Sequence, residues 1–280
     1  MGSLIFKILK FLTPVIVIWI MSAAFGWIGG LIGFVACALV IAYTGRATFM
    51  FLAGSFKFND NNELGLKLME KAYKTGRLSA ERALTFAFLV LRDGQVERAE
   101  NLINKITYLK KNEIKKDYLM LAKVHNALIL WKQGNLSDAI IALEELYDNG
   151  YKSTTFYGTL GYFYILDGQL TKALQFNLEA YEYNSTNFII QDNLASNYLA
   201  LAEYDKAQEL YDKLLAQAPK FIEPYYNYAK LMEIRGNKSD AIEYYKKALE
   251  FEEKFLSTVT HEGIQAELDA LLNSNDTEME

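Results

Sequence analysis

No acidic residue precedes Asp60 in this 280-residue chain, and from Phe11 to Gly45 there is no charged side chain of either sign. A stretch so short of charge excludes a water-facing helix or strand, which needs a polar side. Cysteine is almost absent: Cys37 is the only one and lies inside the uncharged run, so no internal disulfide framework exists and the thiol reads as a small packing group. Three prolines exclude a proline-rich ligand segment. Two histidines, His125 and His261, stand far apart with no cysteine partner in the charged part, which leaves no material for a zinc site. Positive charge is short as well. From Arg46 onward 27 Lys and Arg face 34 Asp and Glu, a net of −7, the wrong sign for a nucleic-acid partner.

Catalytic patterns are missing too. The chain has no glycine-rich phosphate loop, no Gly-x-Ser-x-Gly elbow and no His-Glu-x-x-His pair. Adjacent acids such as Glu144-Glu145 and Glu252-Glu253 read as solvated helix surfaces rather than acid/base pairs. The expectation is a protein without catalytic residues, cofactor or metal.

What is present begins with the uncharged run. As one helix it would be about 52 Å long, against the ~30 Å of a bilayer core. Gly26-Trp27-Ile28-Gly29-Gly30 falls near its middle, where glycine permits a tight reversal. The run therefore predicts a transmembrane helical hairpin within residues 1–46, with helices over about 4–25 and 28–44. Lys7 and Lys10 flank one end, Arg46 and Lys57 the other, so the positive-inside rule places both ends in the cytoplasm and the anchor, multi-pass, in the cell (inner) membrane. Pro14 predicts a kink, and Gly29 with Gly33 a close helix approach through which copies of the anchor self-associate. A single tilted span, with the rest of the chain outside the cytoplasm, is the competing reading and would suit an envelope-assembly or quality-control factor. A cleaved signal peptide fits less well, because the apolar stretch continues past any short apolar core. Residues 47–62, apolar and aromatic at first, are expected to form an interfacial connector.

The remainder has a period. Gly161, Ala195 and Ala229 are spaced by 34, as are Ala173, Ala207 and Ala241, and the same step backward reaches Ala127 and Ala139. Gly134 and Gly168 hold one phase, and Gly236 rejoins it two repeats later. Small residues at such a spacing are what two helices need where they cross, since larger side chains would force the axes beyond ~8–10 Å. Tyrosines, 19 in all, fill positions around them and read as core.

Helix-turn-helix units of 34 residues with this small/aromatic phase resemble tetratricopeptide repeats. The resemblance covers about three quarters of the chain and implies an all-α fold, an α-solenoid. Repeats are expected over about 80–113, 120–153, 154–187, 188–221 and 222–255, with a half repeat at 63–79 that supplies a lone second helix. A capping helix over 256–272 would present Ile264, Leu268, Leu271 and Leu272 on one face, ahead of a disordered acidic tail at 273–280. The compact anchor and the lack of long linkers are expected of a bacterial protein.

The resemblance also implies a function, a scaffold that binds a protein or peptide partner in the concave groove of its first helices. There the sixth residue of each first helix faces the groove, and an Asn can hydrogen-bond both N–H and C=O of an extended peptide. In this sequence the sixth residues are His125, Thr159, Asn193 and Asn227, and Asn193 and Asn227 are the expected clamp. Tyr162, Asp192, Ser196, Tyr226 and Lys230 complete the candidate groove with His125. The family's carboxylate clamp, with Lys at the fifth and Asn at the ninth position of its first repeat, is absent. Here the fifth residues are Val124, Gly158, Asp192 and Tyr226, and the ninth are Leu128, Tyr162, Ser196 and Lys230.

Overall fold

The computed structural model describes residues 2–109 and 114–273, leaving aside the side chains of residues 2–14, 41, 42 and 44. The expectations for the Lys7, Lys10 and Pro14 side chains, for residues 110–113 and for the tail beyond Asn273 lie outside the described residues. Within them every regular element is helical: α1 Gly2–Lys57, α2 Asn62–Lys74, α3 Ala80–Arg92, α4 Val96–Leu109, α5 Lys116–Lys132, α6 Leu136–Asp148, α7 Thr154–Leu166, α8 Leu170–Tyr183, α9 Phe188–Ala200, α10 Tyr204–Leu215, α11 Glu223–Ile234, α12 Lys238–Ala248 and α13 His261–Asn273. The chain divides into two compact units, residues 1–86 and 87–280.

In the first unit, α1 is interrupted at Phe25 (φ −130°, ψ 15°) and Gly26 (φ 65°, ψ −155°), and Gly26 occupies the left-handed region that a side chain resists. After the break, Gly33 lies against Ile18 and Met21, with a Cβ built on it 3.3 Å from Ile18 Cα and 3.2 Å from Met21 Cβ. An unbroken helix would hold positions 18 and 33 about 22 Å apart. The stretch Val15–Val40 is long and apolar enough to cross a membrane by length and composition.

The second half of α1 does not stop at Thr44. It continues to Lys57, so most of the expected 47–62 connector is helix, because Ala47, Phe51 and Phe58 have a surface to bury against. That surface is α2, where Leu66, Met69 and Ala72 are buried. Glycines set the crossing: a Cβ on Gly54 would come within 2.7 Å of both Gly65 O and Met69 Cγ, and one on Gly65 within 2.6 Å of Phe58 Cα. Thus α2 is not a lone half repeat; the end of α1 is its partner. Below this pair, Arg77 donates to the Tyr43 carbonyl (3.4 Å) and hydroxyl (2.9 Å), with its guanidinium 4.2 Å over the Tyr43 ring.

The second unit is a run of helix pairs. Local signals start the helices: the side chains of Ser153, Asn187 and Asn237 accept from the backbone N–H groups of Phe156, Ile190 and Asp240, satisfying donors that a first turn leaves open. The turn between paired helices uses a left-handed residue, Gly134 (φ 87°) and its counterparts Gly94, Gly168 and Gly236, but Ala202 (φ 58°) in the α9–α10 turn. The 34-residue small positions all sit at helix crossings: Ala127, Ala139, Ala173, Ala195, Ala207, Ala229 and Ala241 have no exposed surface. Tyr157, Tyr211 and Tyr245 are fully buried around them. Beyond α12 the chain leaves helical structure for residues 249–260. The terminal helix therefore begins at His261 rather than near 256, and Ile264 and Leu268 join the core of α9–α12 while Leu272 stays exposed.

Candidate functional site

The first helices of the pairs in this unit, α5, α7, α9 and α11 after the end of α3, supply all the candidate groove residues. Their exposures differ even at one repeat position: His125 and Asn193 are buried, whereas Asn227 is half-buried. His125 on α5 is buried, its ring stacked on Phe88 with centroids 4.5 Å apart and planes at 15°. Its Nδ1 has no hydrogen-bond partner, and burial lowers its pKa to about 4, so the imidazole is neutral at pH 7. Asn193 on α9 is 3% exposed, and its side-chain amide donates to the Gly158 carbonyl of α7 at 2.8 Å. The amide expected to clamp a peptide backbone thus bonds one first helix to the next.

Asp192, Ser196 and Asn227 do come together. The Asn227 amide points at Asp192 Oδ1 across 3.5 Å, and the Tyr211 hydroxyl is buried beside Asp192, Ser196 and Asn227. Burial first, then the negative charge of Glu223, holds the Asp192 carboxyl well above the usual carboxylate range. Ser196 donates to the Asn193 carbonyl within its own helix. Tyr226 and Lys230 are engaged by the terminal helix instead: Glu267 of α13 accepts from the Tyr226 hydroxyl at 3.0 Å and pairs with Lys230 at 3.3 Å. Tyr162 on α7 is half-buried, and its hydroxyl meets Thr258 from the non-helical segment after α12.

Several polar residues at the helix crossings escaped the sequence reading. Asn177 and Asn197 are buried; Asn177 donates to Asn197 Oδ1 at 3.3 Å, and Asn197 donates to the Leu170 carbonyl at 3.1 Å. The signal was in the register, since Asn177 occupies the phase that holds Leu143, Tyr211 and Tyr245 in other repeats. Lys132 and Glu223, at opposite ends of α5 and α11, were missed because only a long loop brings them into one site. Both touch that loop: Lys132 donates to the Ser257 carbonyl at 3.4 Å, and Glu223 accepts from the Ser257 hydroxyl at 2.5 Å. Among the described residues no group of three or more His, Cys, Asp or Glu side chains is placed to hold a metal ion.

Comparison with known proteins agrees with this geometry. The tetratricopeptide repeat profile matches residues 126–187 and 193–253. A tetratricopeptide repeat protein from Parabacteroides merdae is similar in structure, with a TM-score of 0.61 at 14% identity over 90% of this chain and 96% of its own. A thermophilic protein of the same repeat type from Thermus thermophilus matches with a TM-score of 0.54 at 20% identity, covering 69% of this chain and 98% of its own. At such identities the likeness is one of fold. No curated protein sequence matches the chain.

Proposed function

Taking as premise that this chain carries tetratricopeptide repeats, we propose that it is a membrane-anchored, non-catalytic scaffold which holds a protein or peptide partner along the face of its first helices. The observation that carries the reading is the ladder of half-buried polar side chains on that face, Tyr162, Ser196, Tyr226, Asn227 and Lys230, held by helix pairs whose crossings are fully packed. Asn193 contributes by fixing α9 against α7, and Asp192 by orienting Asn227. The anchor is the uncharged run of α1. Its two apolar parts, separated at Gly26, cross the membrane as a hairpin, with Arg46 and Lys57 on the cytoplasmic side and the repeats in the cytoplasm. Close approach at Gly29 and Gly33 favours packing within that hairpin over self-association between copies.

The test is photo-cross-linking in cells from a reactive residue at position 227, with the captured species identified by mass spectrometry. One defined partner is expected, and Tyr226→Ala with Lys230→Ala should remove it. Capture that survives those substitutions would place the partner elsewhere and end the reading. A reporter fused after Glu280 should be active only in the cytoplasm; activity on the opposite side would support the single-span alternative.

A further inference from the structure

Residues 249–260 do not take the short path from α12 to α13. They cross the first-helix face and touch it at four successive places. The Phe255 ring lies against Gly94, where an added Cβ would sit 3.3 Å from Phe255 Cδ2, so the absence of a side chain there makes room for the ring. The Lys132 ammonium at the end of α5 is 4.2 Å from the Trp131 ring centroid and 4.9 Å from that of Phe255, closing the slot with a cation over both rings. The same ammonium donates to the Ser257 carbonyl, the Ser257 hydroxyl donates to Glu223, and the Thr258 hydroxyl pairs with Tyr162. On the flank, Glu252 lies within electrostatic reach of Arg92.

This is how a repeat array would receive a separate peptide: a non-helical segment turned at Phe255-Leu256, where the Ser257 N–H donates to the Lys254 carbonyl at 2.8 Å, with one aromatic anchor in a slot and side-chain hydroxyls matched to fixed polar groups. A connector between neighbouring helices needs only a few residues and no such match. We propose that residues 250–260 are an intramolecular ligand of the first-helix face, and that the partner is a non-helical segment of the same chemistry, an aromatic residue in a turn followed two and three positions later by hydroxyl-bearing residues, which binds by displacing it. The inference rests on the scaffold reading and supplies the partner's chemical class. A tethered ligand acts at an effective concentration of about millimolar, so the segment weakens every competing peptide and sets a threshold for partner binding.

The probe is a fluorescein-labelled peptide with the sequence of residues 249–261, titrated by anisotropy against the full-length chain in detergent micelles. The double variant Phe255→Ala, Ser257→Ala loosens the resident segment and should bind the peptide at least tenfold more tightly than the unaltered chain. A peptide with Ala in place of its Phe should lose at least tenfold, as should the loosened chain when it also carries Lys132→Ala. If the loosened chain keeps its helical circular dichroism yet binds no better than the unaltered one, the segment is only a connector and the proposal falls. Hydrogen exchange of the unaltered chain provides the readout should the variant fail to fold. Amides of residues 255–259 should exchange faster with millimolar peptide present, and unchanged protection would overturn the proposal. The two readings separate cleanly: a cellular partner captured at position 227 whose binding ignores the loosening substitutions leaves the scaffold standing without the intramolecular ligand. Peptide binding that follows the predicted order, with no cellular partner, does the reverse.

Discussion

The uncharged part of α1 and the repeat helices draw on the same apolar and aromatic residues and treat them oppositely. Trp19 and Trp27 are 71% and 78% exposed, whereas Tyr157, Tyr211 and Tyr245 have no exposed surface at all. The difference lies in pattern rather than content. In most repeat helices apolar residues alternate with charges at helical spacing, giving one side for the neighbours and one for water, while the uncharged α7 is buried along most of its length by the helices around it. In α1 no residue between Phe11 and Gly45 is charged, and among the described residues most of the large apolar side chains from Val15 to Tyr43 are exposed, a surface that the proposed membrane anchor would place in lipid.

The largest test of this contrast places a charge in each apolar part of α1. Ile20→Lys with Val35→Lys should cost about 5–7 kcal/mol of insertion free energy and shift the chain out of the carbonate-resistant membrane fraction. Full retention would mean that the exposed apolar surface is covered by protein instead.

On the repeat side, burial acts through protonation. His125 titrates near 4 when folded against about 6.5 when unfolded, so folding releases a proton in that window. Stability is complete above about pH 6.5 and should fall by up to about 3 kcal/mol as pH drops toward 4. His125→Phe should flatten that limb in denaturant melts read at a series of pH values.

Gly161 probes how tightly the crossings are packed. A Cβ there would fall on Asn177 Oδ1, so Gly161→Ala should destabilise by about 2 kcal/mol although Ala is the better helix former. Adding Asn177→Leu, the residue type at the matching position 143, should restore most of the loss; a purely additive double variant would refute the contact.

Asp192 has the opposite sign to His125. Its folded pKa is raised, so the folded chain holds the proton to higher pH, and stability falls as pH rises through and above the unfolded value near 4. Asp192→Asn should raise stability at pH 7 by about 1–2 kcal/mol, an advantage that shrinks below pH 4 in the same melts. The smallest effect is at the one turn that departs from its counterparts. Ala202 is left-handed where other repeats have glycine, and Ala202→Gly should add about 0.5–1 kcal/mol of stability, read as a higher melting midpoint.

Much of the architecture was legible because it depends on spacing. Repeats of 34, small residues at crossings and a glycine at the turn all constrain a local geometry that the sequence states directly. The candidate site was legible only in part. Tyr162, Asn227 and Lys230 lie on the anticipated helices, but the position count could not foresee that the Asn193 amide would be taken by Gly158, or that His125 would stack on Phe88. Both partners lie on the preceding first helix, and the angle between neighbouring helices decides which side chain points at the neighbour and which at the open face.

The sequence by itself determined the class of each segment: an uncharged run suited to lipid, helix pairs of fixed length, their caps and turns, and a polar, acidic remainder. These follow from local propensity and periodicity, in which each residue acts on neighbours a few positions away. The tertiary structure alone decided that α1 extends to Lys57 to pair with α2, that Asp192 is buried beside Glu223, and that residues 249–260 lie across the first-helix face. Those outcomes depend on contacts between residues far apart in the chain, as from Lys132 to Ser257, 125 positions away, and from Gly94 to Phe255, and no local pattern specifies such pairs. They are settled by which surfaces remain open for burial once the helices have packed.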